Sequence, residues 1–420
     1  MDEKRKKVLF LIHTLQVGGA EKVLVNLVNN MDDKKFDITV MTVINTGAFR
    51  KELNSNIKYK TIFDIKFLNK EQNKSGNLYS NGSKLKKILG KLYQFFWRHV
   101  DCEKIYNKYV KANYDVEVAF LEGVASKIIA NSTNEKSKKL VWLHVDLINE
   151  KKTEKFFKNI EDEANNYKKF DTIVGVSKYV IEQAIKKYDL DPNKTIVEYN
   201  PIDREEIEKK ADEYINLEKE NFTIITVGRL SVQKGYDRLL KIVKKLNEDN
   251  LTFDLWIIGV GSEEEKLKKY IDNNDLENVK LLGYQENPYK YIKKADMFVC
   301  SSRAEGFSTV VSEAVILGKT IVTTECSGMR EILGENAEYG IICKNEEKDL
   351  YENLKRVLEN KKIFEYYQNK IKERKNFFDM KNNIEKIEKI FQGDKNEEKW
   401  KNSKNTVKYI YDFIYIFYGK

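Results

Sequence analysis

Proline is nearly absent, with 3 residues in 420, which excludes a Pro-rich linker or tail. Cysteine is scarce: there are 4, and none of Cys102, Cys300, Cys326 and Cys343 forms a Cys-x-x-Cys pair. The 3 histidines, His13, His99 and His144, are scattered. Together these shortages argue against a structural zinc site and fit a reducing, cytoplasmic setting. No apolar run approaches the roughly 20 residues that span a bilayer. The basic run Lys4-Arg5-Lys6-Lys7 is followed only by Val8-Leu9-Phe10-Leu11-Ile12, too short for the apolar region of a signal peptide. Gly259-Val260-Gly261 begins like the dinucleotide fingerprint, but Glu264 takes the third glycine position, which counts against a dinucleotide-dependent oxidoreductase. Charge of one sign is in small excess, 75 basic against 66 acidic residues for a net +9. That balance suits an anionic ligand or membrane surface without demanding nucleic acid, and no nucleic-acid motif is present.

What is present is a regular alternation. A chain of 420 residues exceeds one ordinary core, so two domains are expected. Apolar runs that read as buried strands fall at 8–12, 36–43, 57–62, 115–121, 140–144, 171–177 and 195–198. A second series falls at 222–228, 255–258, 279–283, 296–300 and 320–324. Helical patterns separate many of them, and 69–82 reads as a polar loop. Strand–helix alternation predicts an α/β protein with parallel sheets, here two doubly wound Rossmann-like domains facing across a cleft. The expected divisions are an N-terminal domain over 1–202, a linker over 203–221, a second domain over 222–375, a helix at 376–393, and an aromatic and basic tail at 394–420.

One stretch carries the chemistry. The strand Asp296-Met297-Phe298-Val299-Cys300 runs into Ser301-Ser302-Arg303-Ala304-Glu305-Gly306-Phe307, and a helix is expected to start near Ser308, a good N-cap residue. A helix start just past a strand's C-terminal end offers free N–H groups and a positive dipole end to an anion. Glu305 precedes that helix and Glu313 lies on its second turn. In the second series, Val227-Gly228-Arg229-Leu230-Ser231-Val232-Gln233-Lys234-Gly235 places one guanidinium and one ammonium at a strand tip, a pairing suited to a diphosphate. Near the N-terminus, Gly18-Gly19-Ala20-Glu21 turns from a strand into a helix, and adjacent glycines let a ligand approach the backbone.

These motifs together resemble the retaining nucleotide-sugar glycosyltransferases of the GT-B fold, family 4 type, among them bacterial capsule, O-antigen and envelope-polysaccharide enzymes. The resemblance rests on Glu305 and Glu313 as an E-x(7)-E pair and on the Arg229–Lys234 loop. It also rests on the Gly18-Gly19 turn, on His144 at a strand tip, and on Asn200-Pro201-Ile202-Asp203 where the chain leaves the first domain. It implies a nucleotide-sugar donor, UDP-linked, held by Gly18, Gly19, Arg229, Lys234, Tyr284, Gly306, Phe307, Ser308 and Glu313. Tyr284 would lie at the base and Glu313 at the ribose, with Glu305 and His144 at the transferred sugar as the catalytic pair. It implies no metal and no cofactor, since Arg229 and Lys234 would neutralise the leaving diphosphate. It also implies that the helix at 376–393 crosses back to the first domain. The competing expectation is a non-catalytic, peripheral membrane adaptor that binds a sugar nucleotide.

The segment 83–100 is amphipathic. Leu85, Ile88, Leu89, Leu92, Phe95 and Phe96 share one helical face, and Lys84, Lys87, Lys91, Gln94 and Arg98 are read on the opposite one, with Trp97 at an edge. Such a helix either packs its apolar side into the first domain or lies in an anionic membrane interface. The second option, joined to the resemblance, implies a polyprenyl-diphosphate-linked or other glycan acceptor. It places the protein at the inner face of the cell membrane, with no nucleic-acid partner. The tail at 394–420 has the same two options, membrane contact or packing on the first domain.

Overall fold

A computed structural model describes residues 4–16, 18–64, 84–111, 113–148 and 153–393, with no side-chain description at 84–87. The expected loop at 69–82 and the tail at 394–420 lie outside the described residues. The chain forms two parallel sheets. The first contains β1 (Lys6–Ile12), β2 (Phe36–Ile44), β3 (Lys58–Phe63), β4 (Val116–Ala119), β5 (Lys138–Leu143), β6 (Thr172–Gly175) and β7 (Thr195–Val197), in the order β3-β2-β1-β4-β5-β6-β7. The second contains β8 (Thr223–Val227), β9 (Asp254–Ile258), β10 (Val279–Gly283), β11 (Met297–Cys300), β12 (Thr320–Thr324) and β13 (Ile341–Cys343), in the order β10-β9-β8-β11-β12-β13.

Burial explains the strand composition. Parallel strands are covered on both faces and read as continuous apolar runs rather than alternating ones. Val8, Leu9, Phe10, Leu11 and Ile12 are all buried, as are Leu255, Trp256, Ile257 and Ile258. In each sheet the strand order reverses once, between β1 and β4 and between β8 and β11. Crevices open at the carboxyl ends of strands at such reversals. The loops after β1, β4, β8 and β11 are therefore the ones placed to meet a ligand.

Two expected boundaries change. The stretch read as a linker contains a helix, Arg204–Ala211, because Asp203 caps it by accepting from the Glu206 N–H and Ile207 and Ala211 are buried. Among the described residues the last helix is Met380–Gln392, starting beyond Phe377 because Asp379 caps it by accepting from the Asn382 N–H. That helix lies on the first domain. Phe391 packs edge-on against Phe10 and Phe36, at centroid distances of 5.8 and 6.2 Å. The ammonium groups of Lys6 and Lys138 donate to the carbonyls of Gln392 and Ile390, at 2.9 and 2.8 Å. Cations at a helix C-terminus complement its dipole. Glu388 accepts from the Asp32 N–H at 2.7 Å. The C-terminal helix thus seals the base of the N-terminal sheet.

The fully buried Phe391 makes this seal testable. Phe391→Ala removes a large side chain from a packed site, and the expected cost is about 3–5 kcal/mol. Urea unfolding should show a lowered midpoint, whereas Tyr366→Ala at an exposed helical position should leave it near wild type. Equal midpoints would mean that the last helix contributes little.

Candidate active site

The loop after β8 and the loop after β11 are built as one body. Gly235 adopts φ +70°, and a Cβ there would lie 2.0 Å from the Ser301 carbonyl oxygen, so only glycine permits this approach. The Arg303 N–H donates to the Gln233 carbonyl at 2.7 Å, and the Gln233 amide donates to the Ala304 carbonyl at 3.0 Å. The buried Arg238 guanidinium donates to the carbonyls of Ser301 and Ser302, each at 2.7 Å through Nη2. Arg303 forks onto Asp237 at 2.7 and 2.8 Å. Each of these bonds ties a residue near Lys234 to one near Glu305.

The result is a buried ion pair. Lys234 Nζ lies 2.7 Å from Glu305 Oε1, and the Ser302 hydroxyl donates to the same oxygen at 2.5 Å. Burial works against the Lys234 ammonium, but the Glu305 charge outweighs it and holds the lysine above its ordinary pKa. Arg229 is exposed at the tip of the same loop. Phe307 is buried and stacks near Tyr199 at 5.4 Å. Ser308 precedes the helix Thr309–Ile316, in the N-cap position, but its hydroxyl makes no capping bond. That hydroxyl is buried without a partner, so the capping role expected of Ser308 is not realised in this state.

Glu313 stands on the same helix, and the Tyr289 hydroxyl lies 3.5 Å from its Oε1. Burial pushes its pKa up to about 8, so it is largely neutral at physiological pH. Tyr284 follows β10 and is exposed.

The N-terminal domain faces these loops. A Cβ on Gly19 would lie 3.3 Å from Thr309 Oγ1, so the Gly18-Gly19 turn looks onto the start of that helix. Gly306 touches the N-terminal domain directly: a Cβ there would lie 1.9 Å from the His144 carbonyl oxygen. Glu122, just past β4, accepts from the backbone N–H groups of His144 and Val145, fixing the turn after β5. The His144 ring lies 4.9 Å from that of Phe120, and its Nε2 is buried without a partner. Burial lowers its pKa to about 3, so the imidazole is neutral. The structure therefore brings Gly19, His144, Lys234, Glu305, Gly306, Phe307, Ser308 and Glu313 to one cleft.

Two residues at this cleft escaped the sequence reading. Glu21 follows the glycine turn, and burial raises its pKa to about 6 against the opposing charge of Arg229. His13 at the tip of β1 bonds the Tyr93 hydroxyl through Nε2 at 3.0 Å, and burial with the Lys155 charge lowers its pKa to about 4. Glu21 was visible in the sequence as part of Gly-Gly-Ala-Glu. His13 gave no signal, because its partner is 80 residues away.

Among the described residues no group of three or more His, Cys, Asp or Glu side chains is placed to hold a metal. Asp189-Leu190-Asp191 is spelled like a metal-binding triplet, but it ends the helix Lys178–Tyr188. The opposite end of that helix faces the cleft, where the Ser177 hydroxyl donates to the Gly306 carbonyl at 3.1 Å. Eleven residues put the triplet about 16 Å from that end, and Asp191 is engaged in capping its own turn.

Comparison with known proteins gives a family likeness and a fold. Residues 207–377 match the family model of glycosyl transferases group 1. A relative from Campylobacter jejuni, N-acetylgalactosamine-N,N'-diacetylbacillosaminyl-diphospho-undecaprenol 4-alpha-N-acetylgalactosaminyltransferase, is 36% identical over 204 residues, covering 48% of this chain and 54% of its own. The amylovoran biosynthesis glycosyltransferase AmsK of Erwinia amylovora is 34% identical over 122 residues, 27% of this chain and 30% of its own. The chain spans about half the length of the first curated relatives it matches, 54%, 40% and 51%. Among solved structures, Anabaena HepE in complex with UDP superposes with a TM-score of 0.65 at 20% identity, covering 92% of this chain and 100% of the other. Staphylococcus aureus TarM, solved with fondaparinux, alpha-GlcNAc-glycerol and UDP, gives 0.67 at 14% identity, with 92% and 99% covered. Residues 207–377 are thus similar to the group 1 glycosyl transferases, and the two facing sheets share the GT-B fold of these solved structures.

Proposed function

We propose that the protein transfers a hexose or N-acetylhexosamine, with retention, from a UDP-sugar to a lipid-linked glycan during envelope-polysaccharide synthesis. The observation that carries this reading is that Lys234, held on Glu305, and the start of the helix Thr309–Ile316 stand opposite the Gly18-Gly19 turn, with the Arg229 charge acting on Glu21 of that turn. Positive side chains and free backbone N–H groups then meet where negative charge grows on a departing UDP. Preorganised stabilisation of that kind is commonly the largest catalytic term. Glu305 and the neutral His144 flank the transferred sugar, Glu313 meets the ribose, and Tyr284 lies at the base. Glu305 is held by Lys234, so the reading assigns it no nucleophilic role, and the acceptor attacks from the face the diphosphate leaves. Two cations serve in place of a metal.

The acceptor reading rests on the helix Lys84–His99. Its apolar face is not core: Leu92 and Phe95 are 58% and 62% exposed, and Ile88, Leu89 and Phe96 are exposed with them. It docks instead through Tyr93 and the buried Trp97, which corrects the expectation of Trp97 at an exposed edge. Lys91 and Arg98 border the apolar ridge, and with Ile88, Leu92, Gln94 and Phe95 they line a cavity of about 410 Å³. Among the described residues no helix is long and apolar enough to cross a membrane. An apolar ridge beside basic residues fits an anionic lipid surface, where each basic residue contributes about 1 kcal/mol. The Campylobacter relative is named for a diphospho-undecaprenol acceptor, the chemistry that such a surface would present at the inner face of the cell membrane.

Three outcomes test this reading. Lys234→Ala or Arg229→Ala should reduce UDP-sugar turnover by about 10²- to 10³-fold, while wild-type turnover should survive EDTA. Near-normal turnover in either variant removes the phosphate role, and EDTA loss restored by magnesium indicates metal dependence.

Wild type should float with anionic liposomes at low salt, and Leu92→Ser/Phe95→Ser should not. Wild type remaining in the soluble fraction would remove the membrane surface from the proposal.

Glu313 has a pH signature. Its folded pKa is raised from 4.5 to about 8, so its contribution to stability is fully present below the unfolded value and is lost as pH rises through the folded one. Wild-type urea midpoints should fall across that window, and Glu313→Gln should fall less. Identical profiles would mean that Glu313 titrates normally.

A further inference from the structure

A carboxylate from the second domain caps a helix of the first. Glu331, buried on the helix Met329–Leu333, accepts from the Lys178 N–H through both oxygens at 3.0 Å and from the Tyr199 hydroxyl at 2.9 Å. Lys178 begins the helix Lys178–Tyr188, whose first N–H groups have no partner within the helix. A carboxylate there satisfies them and meets the positive end of the dipole. Arg374 holds the other side, its guanidinium donating to the carbonyls of Glu331 and Ile332. The capped helix in turn donates from its N-cap Ser177 to the Gly306 carbonyl at 3.1 Å. Gly306 sits between Glu305 and Phe307 and against the His144 carbonyl. One carboxylate therefore sets the register between the Glu305 loop and the strand tip that carries His144.

We propose that Glu331 is a positioning residue that fixes the donor loop against the acceptor strand tip, and so favours transfer to the acceptor over hydrolysis by water. This role rests on the glycosyl-transfer reading above. Misplacement of reacting groups by about 1 Å is enough to cost about 10²-fold in rate. A loosened register also admits water to the activated donor.

The test uses the full chain with Glu331→Ala, Glu331→Gln and Tyr199→Phe. The first readout is amide exchange at Lys178 and Tyr179, which needs no substrate. Glu331→Ala should lose protection there, and Glu331→Gln, which keeps one acceptor oxygen, should lose less. The second readout compares UDP released with sugar transferred to undecaprenyl-diphosphate N-acetylgalactosamine. The donors are UDP-glucose, UDP-galactose and their N-acetyl derivatives. In Glu331→Ala the ratio of transfer to hydrolysis should fall by roughly tenfold or more, with Glu331→Gln and Tyr199→Phe intermediate. Unchanged protection at Lys178 and Tyr179 would overturn the capping role. Lost protection with an unchanged ratio in active protein would reduce Glu331 to a structural contact and overturn this inference alone. A wild type that turns over no donor with this acceptor overturns the inference together with the reading it rests on.

Discussion

The contact between Gly306 and the His144 carbonyl is the constraint on which the rest of the cleft depends. A Cβ at residue 306 would sit 1.9 Å from that oxygen, so the two domains meet backbone to backbone at the centre of the site. Any larger residue would separate the sheets, and every group arranged across the cleft would move with it. Around this point polar contacts join the domains beside the Phe307–Tyr199 ring contact: Ser177 to Gly306, Ser327 to Asp146 at 3.1 Å, and Glu331 to the helix start at Lys178. Polar interfaces between domains are compatible with relative motion. The close approach at Gly306 provides the precise spacing, and the hydrogen bonds choose one arrangement among those the motion permits.

The electrostatics of the site follow from how each group is buried. Lys234 is charged because Glu305 offsets its desolvation. Glu313 and His144 have no such counter-charge within bonding distance, and burial pushes both toward the neutral form. Three kinds of group therefore stand side by side: a compensated pair, a neutral acid and a neutral imidazole. An incoming diphosphate changes this balance. In the proposed reaction it would compete with Glu305 for Lys234 and so leave the carboxylate able to accept hydrogen bonds from the proposed sugar. The ion pair thus holds both partners in place until a ligand rearranges them.

Much of this was legible in the sequence, for a physical reason. Parallel strands buried on both faces must be written as short apolar runs, so β1, β5, β8 and β11 announce themselves. The chemistry then lies in the few residues that follow each run, as Arg229, Lys234, Glu305 and His144 do. What could not be read depends on pairs far apart in the chain. His13 gains its place from Tyr93, Glu331 from Lys178, and Phe391 from Phe10. The helix Arg204–Ala211 reads as linker in the sequence because it is highly charged, and only Ile207 and Ala211 pack inward. Ser308 shows the opposite failure, since its position is that of a cap while its hydroxyl makes no bond.

The helix Lys84–His99 was misread in a more instructive way. Its spacing puts apolar and basic residues on opposite faces, so that the apolar face is the one available to dock on the domain, yet Ile88, Leu89, Leu92, Phe95 and Phe96 on that face are exposed. In the structure a third face, carrying Tyr93 and Trp97, does the docking, and Lys91 and Arg98 fall at the border of an exposed apolar ridge. Helical spacing alone could not have distinguished these, because an aromatic residue suits a core and an interface equally well. The consequence reaches the site. Tyr93 on the inner face bonds His13 at the tip of β1, while Leu92 and Phe95 point outward from the same helix. A helix with its side chains is about 10–12 Å across, so one rigid element separates the exposed ridge from the wall of the cleft. If the ridge meets a membrane as proposed, a head group there would lie within about the width of a single helix from the strand tips, and a lipid-linked acceptor could enter without leaving the surface.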